Sequence, residues 1–389
     1  MQTYAPTNES QAADFIRAAT SLRIEGNGTK VALGRPVSGQ ILSTQALTGI
    51  TLYEPSEMVI SAKAGTPLAE IEATITAKGQ MLPFEPMDYR GVLGTSGEPT
   101  IGGVAACNLS GPRRISAGAA RDSILGLRLI NGHGDMIRAG GRVMKNVTGL
   151  DLVKVNCGAY GTLALITEVT LKLLPKSEKS VTFVVKGLED EAAIAALSLA
   201  LGSPFEISGA AHLPFGLGRN ISRTLMRLEN FSASIDYRIG ELRKIFAGQP
   251  ETNVLEGEAS AKLWRGIRDV EFVNAPQIGL LWRISTAPSA APKLMAALKP
   301  LGGLHYYDWG GGLIWLNLPL TEDAGAGAVR AALKPLGGHA TLVRAPDEVR
   351  ARVEVFQPLD PAVMNLNRGL KASFDPAGKF NSGRMYKGL

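Results

Sequence analysis

The tightest constraint on the fold lies between Ile278 and Arg344, where six segments follow one another: IGLLWRIS, APKLMAALKP, LHYYDW, LIWLNLPL, GAVRAALKP and HATLVR. Read as strand, helix, strand, strand, helix, strand, they spell βαββαβ, the ferredoxin-like arrangement. The phrase AALKPLGG occurs twice inside it, at 296–303 and 331–338. Each copy is a helix end with lysine in the last turn and glycine after it. Residues 181–257 run through a similar order: VTFVV, DEAAIAALSLAL, FEISGAAHL, RTLMRLE, a helix through Ile239 to Phe246, then NVL. Two such units side by side predict a domain built on one broad sheet.

Residues 1 to about 175 follow a different pattern of short strands and helices. A helix fits Glu9 to Ala19, and strands fit Ile50 to Tyr53 and Met58 to Ala62. Thr66 then caps a helix with Pro67 at its first position, closed by Gly79. NGHG at 131–134 reads as a hairpin turn, which makes His133 surface punctuation. A chain of 389 residues is long for one core. The expected division is therefore 1–175, 176–350, and a turn-rich tail at 351–389 that returns to the first domain.

Within the first of these lies RIEGNGTK, residues 23–30. A P-loop needs four residues between its glycines, whereas only Asn27 separates Gly26 from Gly28. A dinucleotide fingerprint needs a third glycine where Val31 stands and a long helix there, which Gly34 and Pro36 forbid. The residues leave a strand at 22–25, a glycine turn, and a second short strand at 31–33. Such a turn can aim consecutive N–H groups at an anion, and it serves equally as a plain hairpin.

Composition removes several classes of function. The net charge of +6 comes from basic residues scattered along the chain, which disfavours nucleic-acid binding. The two cysteines, Cys107 and Cys157, have no metal-ligand or iron–sulfur spacing. No apolar stretch approaches the ~20 residues of a membrane span. A cytoplasmic protein is expected, with any attachment to the inner membrane made through partner subunits.

RIEGNGTK, the helix after AKAGTPLAEI, TIGGVAACNLSGPRR, GGRVMKNVTGLDLVKVNCGAYGTLALITEVTLKL and DPAGKFNSGRM together resemble the PCMH-type FAD-binding flavoproteins of the vanillyl-alcohol oxidase superfamily. EPMDYRG, GPRRISAG, LWRIS, DWGGGLIWL, GGHAT and GRMY are similar to the FAD-binding E subunits of bacterial glycolate oxidases. Complexes of that family also contain a related flavin subunit and an iron–sulfur subunit. The resemblance implies an α+β fold: a PCMH-type FAD-binding domain of two α+β subdomains, plus a ferredoxin-like α/β cap. It implies FAD as cofactor, its pyrophosphate held by Gly26, Asn27, Gly28, Thr29 and Lys30. Gly102 and Gly103 would form a second wall, followed by Asn108, Ser110 and Gly111. Gly158, Gly161 and Thr162 would clasp the ADP half, and Asn381 would approach the flavin or its ribityl chain.

The implied activity is oxidation of glycolate to glyoxylate, with electrons passed through flavin to partner subunits. Arg283 is the candidate clamp for the carboxylate and His339 the candidate base. A salt-bridged strand arginine and a hydrogen-bonded histidine after a helix end fit the same positions. Related 2-hydroxy-acid dehydrogenases hold a metal on a histidine cluster, whereas the four histidines here, at 133, 212, 305 and 339, are dispersed. No metal is expected, and no histidine is placed to tether the flavin, so FAD should be noncovalent. Ser382 stands where many relatives have proline, and Leu150 where many have tyrosine. A self-sufficient 2-hydroxy-acid dehydrogenase and a structural subunit that has lost its flavin are the alternatives.

Overall fold

The structure, a computed structural model, describes residues 3–142, 150–217, 220–249, 251–274 and 279–389. The KNVTG stretch at 145–149 and Ile278 lie outside the described residues. The chain divides into two compact units. Unit one comprises Met1–Ser110, Gly118–Lys176 and Pro358–Leu389, and unit two comprises Gly111–Ala117 and Ser177–Gln357. Residues 111–117 and 351–357 thus go with unit two, where the sequence reading had placed them in the first domain and the tail.

In unit one, β1 (Thr3–Tyr4), β2 (Leu22–Glu25) and β3 (Gln40–Ser43) form a parallel sheet in the order β1-β3-β2. β4 (Ile50–Glu54), β5 (Val59–Lys63), β7 (Ile124–Ile130), β8 (Met136–Gly140) and β9 (Leu165–Lys172) form an antiparallel sheet in the order β4-β5-β9-β7-β8. The short strands β6 (Gln80–Met81) and β10 (Leu174–Pro175) pair with each other. The helix Glu9–Ala18 starts where the Asn8 side chain accepts from the Gln11 N–H at 2.9 Å. Its Ala12, Ala13 and Ile16 are buried against Leu22, Leu42, Ile130, Leu165 and Phe380.

The expected strand at 31–33 does not form. β2 pairs instead in parallel with β3, Leu22 opposite Gln40 and Glu25 opposite Ser43. Parallel neighbours need a long connection rather than a hairpin, and residues 26–39 supply it as turns, with the Leu33 N–H donating to the Lys30 carbonyl at 3.1 Å. Leu33 is buried there, which accounts for the apolar character that suggested a strand. Pro67 likewise stands at the cap position of its helix, Leu68–Thr76, rather than inside it.

The far side of β2 is closed by the C-terminal segment. Leu22 N–H donates to the Lys379 carbonyl at 2.8 Å, and Asn381 N–H donates to the Leu22 carbonyl at 3.0 Å. The buried Lys371 ammonium fixes this segment by donating to Asp375 Oδ2, the Thr162 carbonyl and the Phe380 carbonyl at 2.7, 2.7 and 3.0 Å.

In unit two, β11 (Lys179–Lys186), β12 (Gly209–Leu213), β13 (Arg223–Asn230), β14 (Glu251–Glu256), β15 (Leu280–Ser285), β16 (Leu304–Asp308), β17 (Leu313–Leu318) and β18 (His339–Arg344) make one antiparallel sheet. Their order is β14-β11-β13-β12-β16-β17-β15-β18. Each half has the ferredoxin-like order, and the halves join edge to edge at β12 and β16, where His212 stands opposite Tyr307. The carboxylate of Asp190, at the start of the helix Asp190–Leu201, ties this seam together. It lies 3.4 Å from His212 Nε2 and 3.2 Å from His305 Nε2, and accepts from Tyr307 Oη at 2.6 Å. Burial opposes the charged carboxylate, but these hydrogen bonds outweigh it and hold Asp190 well below the usual carboxylate range. Two histidines that are distant in sequence therefore stand beside one acid.

Candidate functional site

Unit one contains a pocket of about 650 Å³, counting space open to solvent, a size suited to a cofactor. One wall is the turn after β2. The consecutive backbone N–H groups of Gly26, Asn27, Gly28, Thr29 and Lys30 donate to no protein group among the described residues. Gly28, one of the lining residues, has φ +75, a conformation other residues adopt only with strain, and a Cβ placed on it would meet nothing within 4 Å. The backbone of this turn is held from behind, where Ser43 Oγ donates to the Gly26 carbonyl at 3.0 Å and Asn27 Nδ2 donates to the Glu98 carbonyl at 3.1 Å.

Lys30 supplies the charge. Its side chain is only 9% exposed, and its ammonium donates to Thr29 Oγ1 at 3.2 Å. No carboxylate lies within 4 Å of it among the described residues. Burial pushes its pKa below the usual lysine value, partly offset by Cys107 and Asp88. N–H groups without a protein acceptor among the described residues, beside a buried cation with no carboxylate within 4 Å, are suited to an anion.

The opposite wall is the helix Ile101–Cys107, whose Thr100 cap accepts from the Gly103 N–H at 3.3 Å. A Cβ on Gly102 would come within 2.6 Å of Ala64 Cβ, so glycine is what lets this helix reach the end of β5. The third side is the C-terminal segment. Asn381 Oδ1 accepts from the Ile24 N–H at 2.9 Å and its Nδ2 donates to the Tyr160 carbonyl at 2.8 Å, which positions Tyr160 and Gly161 at the rim.

Gly26, Asn27, Gly28, Thr29, Lys30, Gly102, Gly103, Gly161 and Asn381 all line this one pocket. The other expected contacts do not. Asn108 Oδ1 accepts from the Arg121 N–H at 3.1 Å and Ser110 Oγ from the Ala120 N–H at 2.9 Å, so both side chains hold their own loop. Gly158 donates its N–H to the Ala105 carbonyl, and Thr162 Oγ1 donates to the Ala159 carbonyl at 2.7 Å. Gly111 belongs to unit two, where its carbonyl accepts from Trp309 Nε1 at 3.1 Å.

The pocket also contains residues that sequence reasoning missed, among them Thr44, Thr100, Cys107, Tyr160 and Arg384. Arg384 is 5% exposed, and with Lys30 it flanks the half-buried Cys107, whose thiol desolvation pushes up against the pull of both cations. The signal for it was the GRMY stretch, whose arginine lies three residues past Asn381.

In unit two, Arg283 and His339 come together although 56 positions separate them in sequence. They lie on adjacent strands, with Arg283 opposite Thr341 and Ser285 opposite His339. Burial, then the Arg283 and Arg114 guanidinium groups, depress the pKa of His339. Its imidazole is therefore neutral at neutral pH, as a base requires. Among the described residues no three His, Cys, Asp or Glu side chains gather so as to hold a metal, and no helix is long and apolar enough to cross a membrane.

A family model described as "FAD binding domain" matches residues 2–140. Over 386 residues the chain is 36% identical to "Glycolate oxidase subunit GlcE" of Escherichia coli (strain K12), covering 99% of this chain and 98% of that one. It is 27% identical to "Glycolate oxidase subunit GlcD" of Bacillus subtilis (strain 168), over 46% of this chain and 38% of that one. Among solved structures, an alkyldihydroxyacetonephosphate synthase superposes with a TM-score of 0.67 at 15% identity, over 97% of this chain and 76% of that one, a likeness of fold.

Proposed function

The chain belongs to the GlcE family of FAD-binding glycolate oxidase subunits, and from that premise we propose that it works as one flavin subunit of a heteromeric oxidase acting on small 2-hydroxy acids, glycolate first among them. The observation that carries the reading is the anion site of unit one. The N–H groups of residues 26–30 and the buried Lys30 ammonium match the two negative charges of the FAD diphosphate, and no protein carboxylate answers that cation among the described residues. Bound FAD supplies the acceptor for the hydride leaving the α-carbon of the acid. The chain's own residues do the rest. The turn and Lys30 hold the diphosphate, Gly102 and Gly103 let the helix wall close on it, and Asn381 fixes the rim. We read the FAD as noncovalently held.

The partners are a related flavin subunit and an iron–sulfur subunit. Cys107 and Cys157 are the chain's only cysteines and both lie in unit one without cluster spacing, so electrons reaching this flavin leave through another chain. Any membrane attachment of the complex runs through those partners.

The test is purification alone and with the two partner subunits. The isolated chain is expected to be yellow, to release FAD on denaturation, and to show little glycolate-dependent dye reduction until both partners are added. A colourless chain that takes up no FAD would mean a structural subunit, and robust turnover by the isolated chain would mean a self-sufficient dehydrogenase.

A further inference from the structure

Resting on the reading that the turn after β2 holds the FAD diphosphate, we propose that Arg90, oriented by Asp88, is a positioning residue for that turn: it clamps a strap of residues 95–98, and the strap fixes the direction of the N–H groups at 26–30.

All of these residues belong to unit one. EPMDYRG, at 85–91, leads into the short helix Arg90–Leu93, which ends at Gly94 in the left-handed conformation, φ 64. The strap that follows has little burial to hold it, since Ser96, Gly97 and Glu98 are exposed. Hydrogen bonds hold it instead. Arg90 Nε donates to Asp88 Oδ1 and Oδ2 at 3.1 and 3.0 Å, and Nη2 donates to Oδ2 at 2.8 Å, a fork that fixes the plane of the guanidinium. The Arg90 backbone N–H also donates to Asp88 Oδ1 at 3.0 Å, so the carboxylate grips side chain and main chain together. That leaves Nη1 aimed at the strap, where it donates to the Gly97 carbonyl at 2.9 Å.

The strap meets the glycine turn at two places. Thr95 Oγ1 donates to the Thr29 carbonyl at 3.0 Å, and Asn27 Nδ2 donates to the Glu98 carbonyl at 3.1 Å. Between them a Cβ on Gly97 would stand 2.9 Å from the Asn27 carbonyl oxygen, at a φ of +97, so glycine is what lets the two backbones come this close. In a planar trans peptide the C=O and the following N–H point opposite ways. Holding the Thr29 carbonyl on the strap side therefore turns the N–H of Lys30, a residue that lines the pocket, away from the strap. Ser43 does the same for the Asn27 N–H through the Gly26 carbonyl. The charge of Asp88 also reaches Lys30, and both of its oxygens are engaged by Arg90 rather than by that ammonium.

The experiment compares full-length parent and variant chains by fluorescence titration of apoprotein with FAD, by ³¹P NMR of the bound diphosphate, and by amide hydrogen exchange. Arg90→Ala is expected to weaken FAD by about fivefold or more and to move the phosphorus resonances toward those of free FAD. It should also lower FAD-dependent protection at residues 26–30 while protection of β11 and β13 is unchanged. Thr95→Val cuts the next link and should act the same way, with Thr95→Ser restoring the parent. Because both changes break one chain of contacts, the double variant should bind FAD about as well as the weaker single one. If Arg90→Ala fails to fold, the Thr95 pair and Asp88→Asn, also expected to weaken FAD, carry the test. An Arg90→Ala chain that melts earlier but keeps the parent's phosphorus resonances would overturn the proposal, as would additive effects of Arg90→Ala and Thr95→Val. So would an Asp88→Asn chain that binds FAD more tightly, since that carboxylate would then act on Lys30 alone. Failure of the FAD reading would look different, as a parent chain that takes up no flavin.

Discussion

Replacing Lys30 with methionine separates the two things the ammonium does. Methionine keeps most of the length and apolar volume of the lysine stem, so the change removes one buried charge and its hydrogen bond to Thr29. Without FAD, the charge is a liability. Burial lowers the folded pKa below 10.5, so the penalty is fully present below the folded pKa and is relieved as pH rises toward the unfolded value. The Lys30→Met apoprotein should therefore be more stable than the parent at neutral pH, and the gap should narrow on the alkaline side. With FAD, the same charge faces the diphosphate, and truncating one partner of a buried charge pair costs about 2–5 kcal/mol. That is roughly 30-fold to several thousand-fold in Kd, with residual binding from the backbone N–H groups. The assay is fluorescence titration of apoprotein with FAD beside thermal unfolding of the apoprotein. An FAD affinity within about threefold of the parent would show that Lys30 does not face the phosphates, and an apoprotein destabilised by the change would show a structural lysine instead.

Gly28→Val should abolish FAD binding while leaving secondary structure by circular dichroism intact, because the new side chain meets no protein atom at its Cβ and projects into the pocket from a φ of +75; a valine variant that stays yellow after desalting would sink the cradle. Asp190→Ala removes the acceptor shared by His305 and Tyr307, and the carboxylate 3.4 Å from His212 Nε2, and should lower stability by about 3–5 kcal/mol in denaturant titration. In the parent, the stability held by this carboxylate is present above its unfolded pKa and lost on acidification, so a parent and Asp190→Ala pair equally stable at pH 7 would refute the role. Burial raises both thiols, Cys157 to about 12, so neither should be alkylated by iodoacetamide at pH 8 in the native chain, as mass spectrometry would report.

Alternation and helix punctuation made unit two readable in advance. Strands such as LIWLNLPL and HATLVR, with AALKPLGG between them, carry their period and their stops locally, and the doubled order predicts the joined sheet. The glycine turn was legible as a turn for the same reason, since Gly28, at φ +75, carries its own signal. What local pattern could not carry was partnership. Val31 to Leu33 looks like a strand because it is apolar, yet its burial comes from turns, and the true neighbour of β2 lies at 40–43. Asn108, Ser110, Gly158 and Thr162 are the right residue types near the right walls, but each hydrogen-bonds within the protein, Gly158 to the Ala105 carbonyl and the others to groups of nearby loops. Arg384 and the Asp190 seam depend on contacts between segments that only the folded chain brings together.

The hydrogen bond between Asn381 and Ile24 spans 357 positions, and that separation sets an order of events during synthesis. At about 5–20 residues per second, roughly 20–70 s pass between translation of β2 and of its C-terminal neighbour. Through that interval the turn after β2 lacks Asn381 and Arg384, two of the side chains that enclose its pocket, while all eight strands of unit two are translated before it ends. Flavin loading is thereby a late step, gated by the arrival of residues 379–384 rather than by the glycine turn made at the outset. Ribosome-stalled chains ending before Lys379 should accordingly display a protease-resistant unit two yet retain no FAD, and a stalled chain that holds flavin would show that the turn suffices without its C-terminal wall.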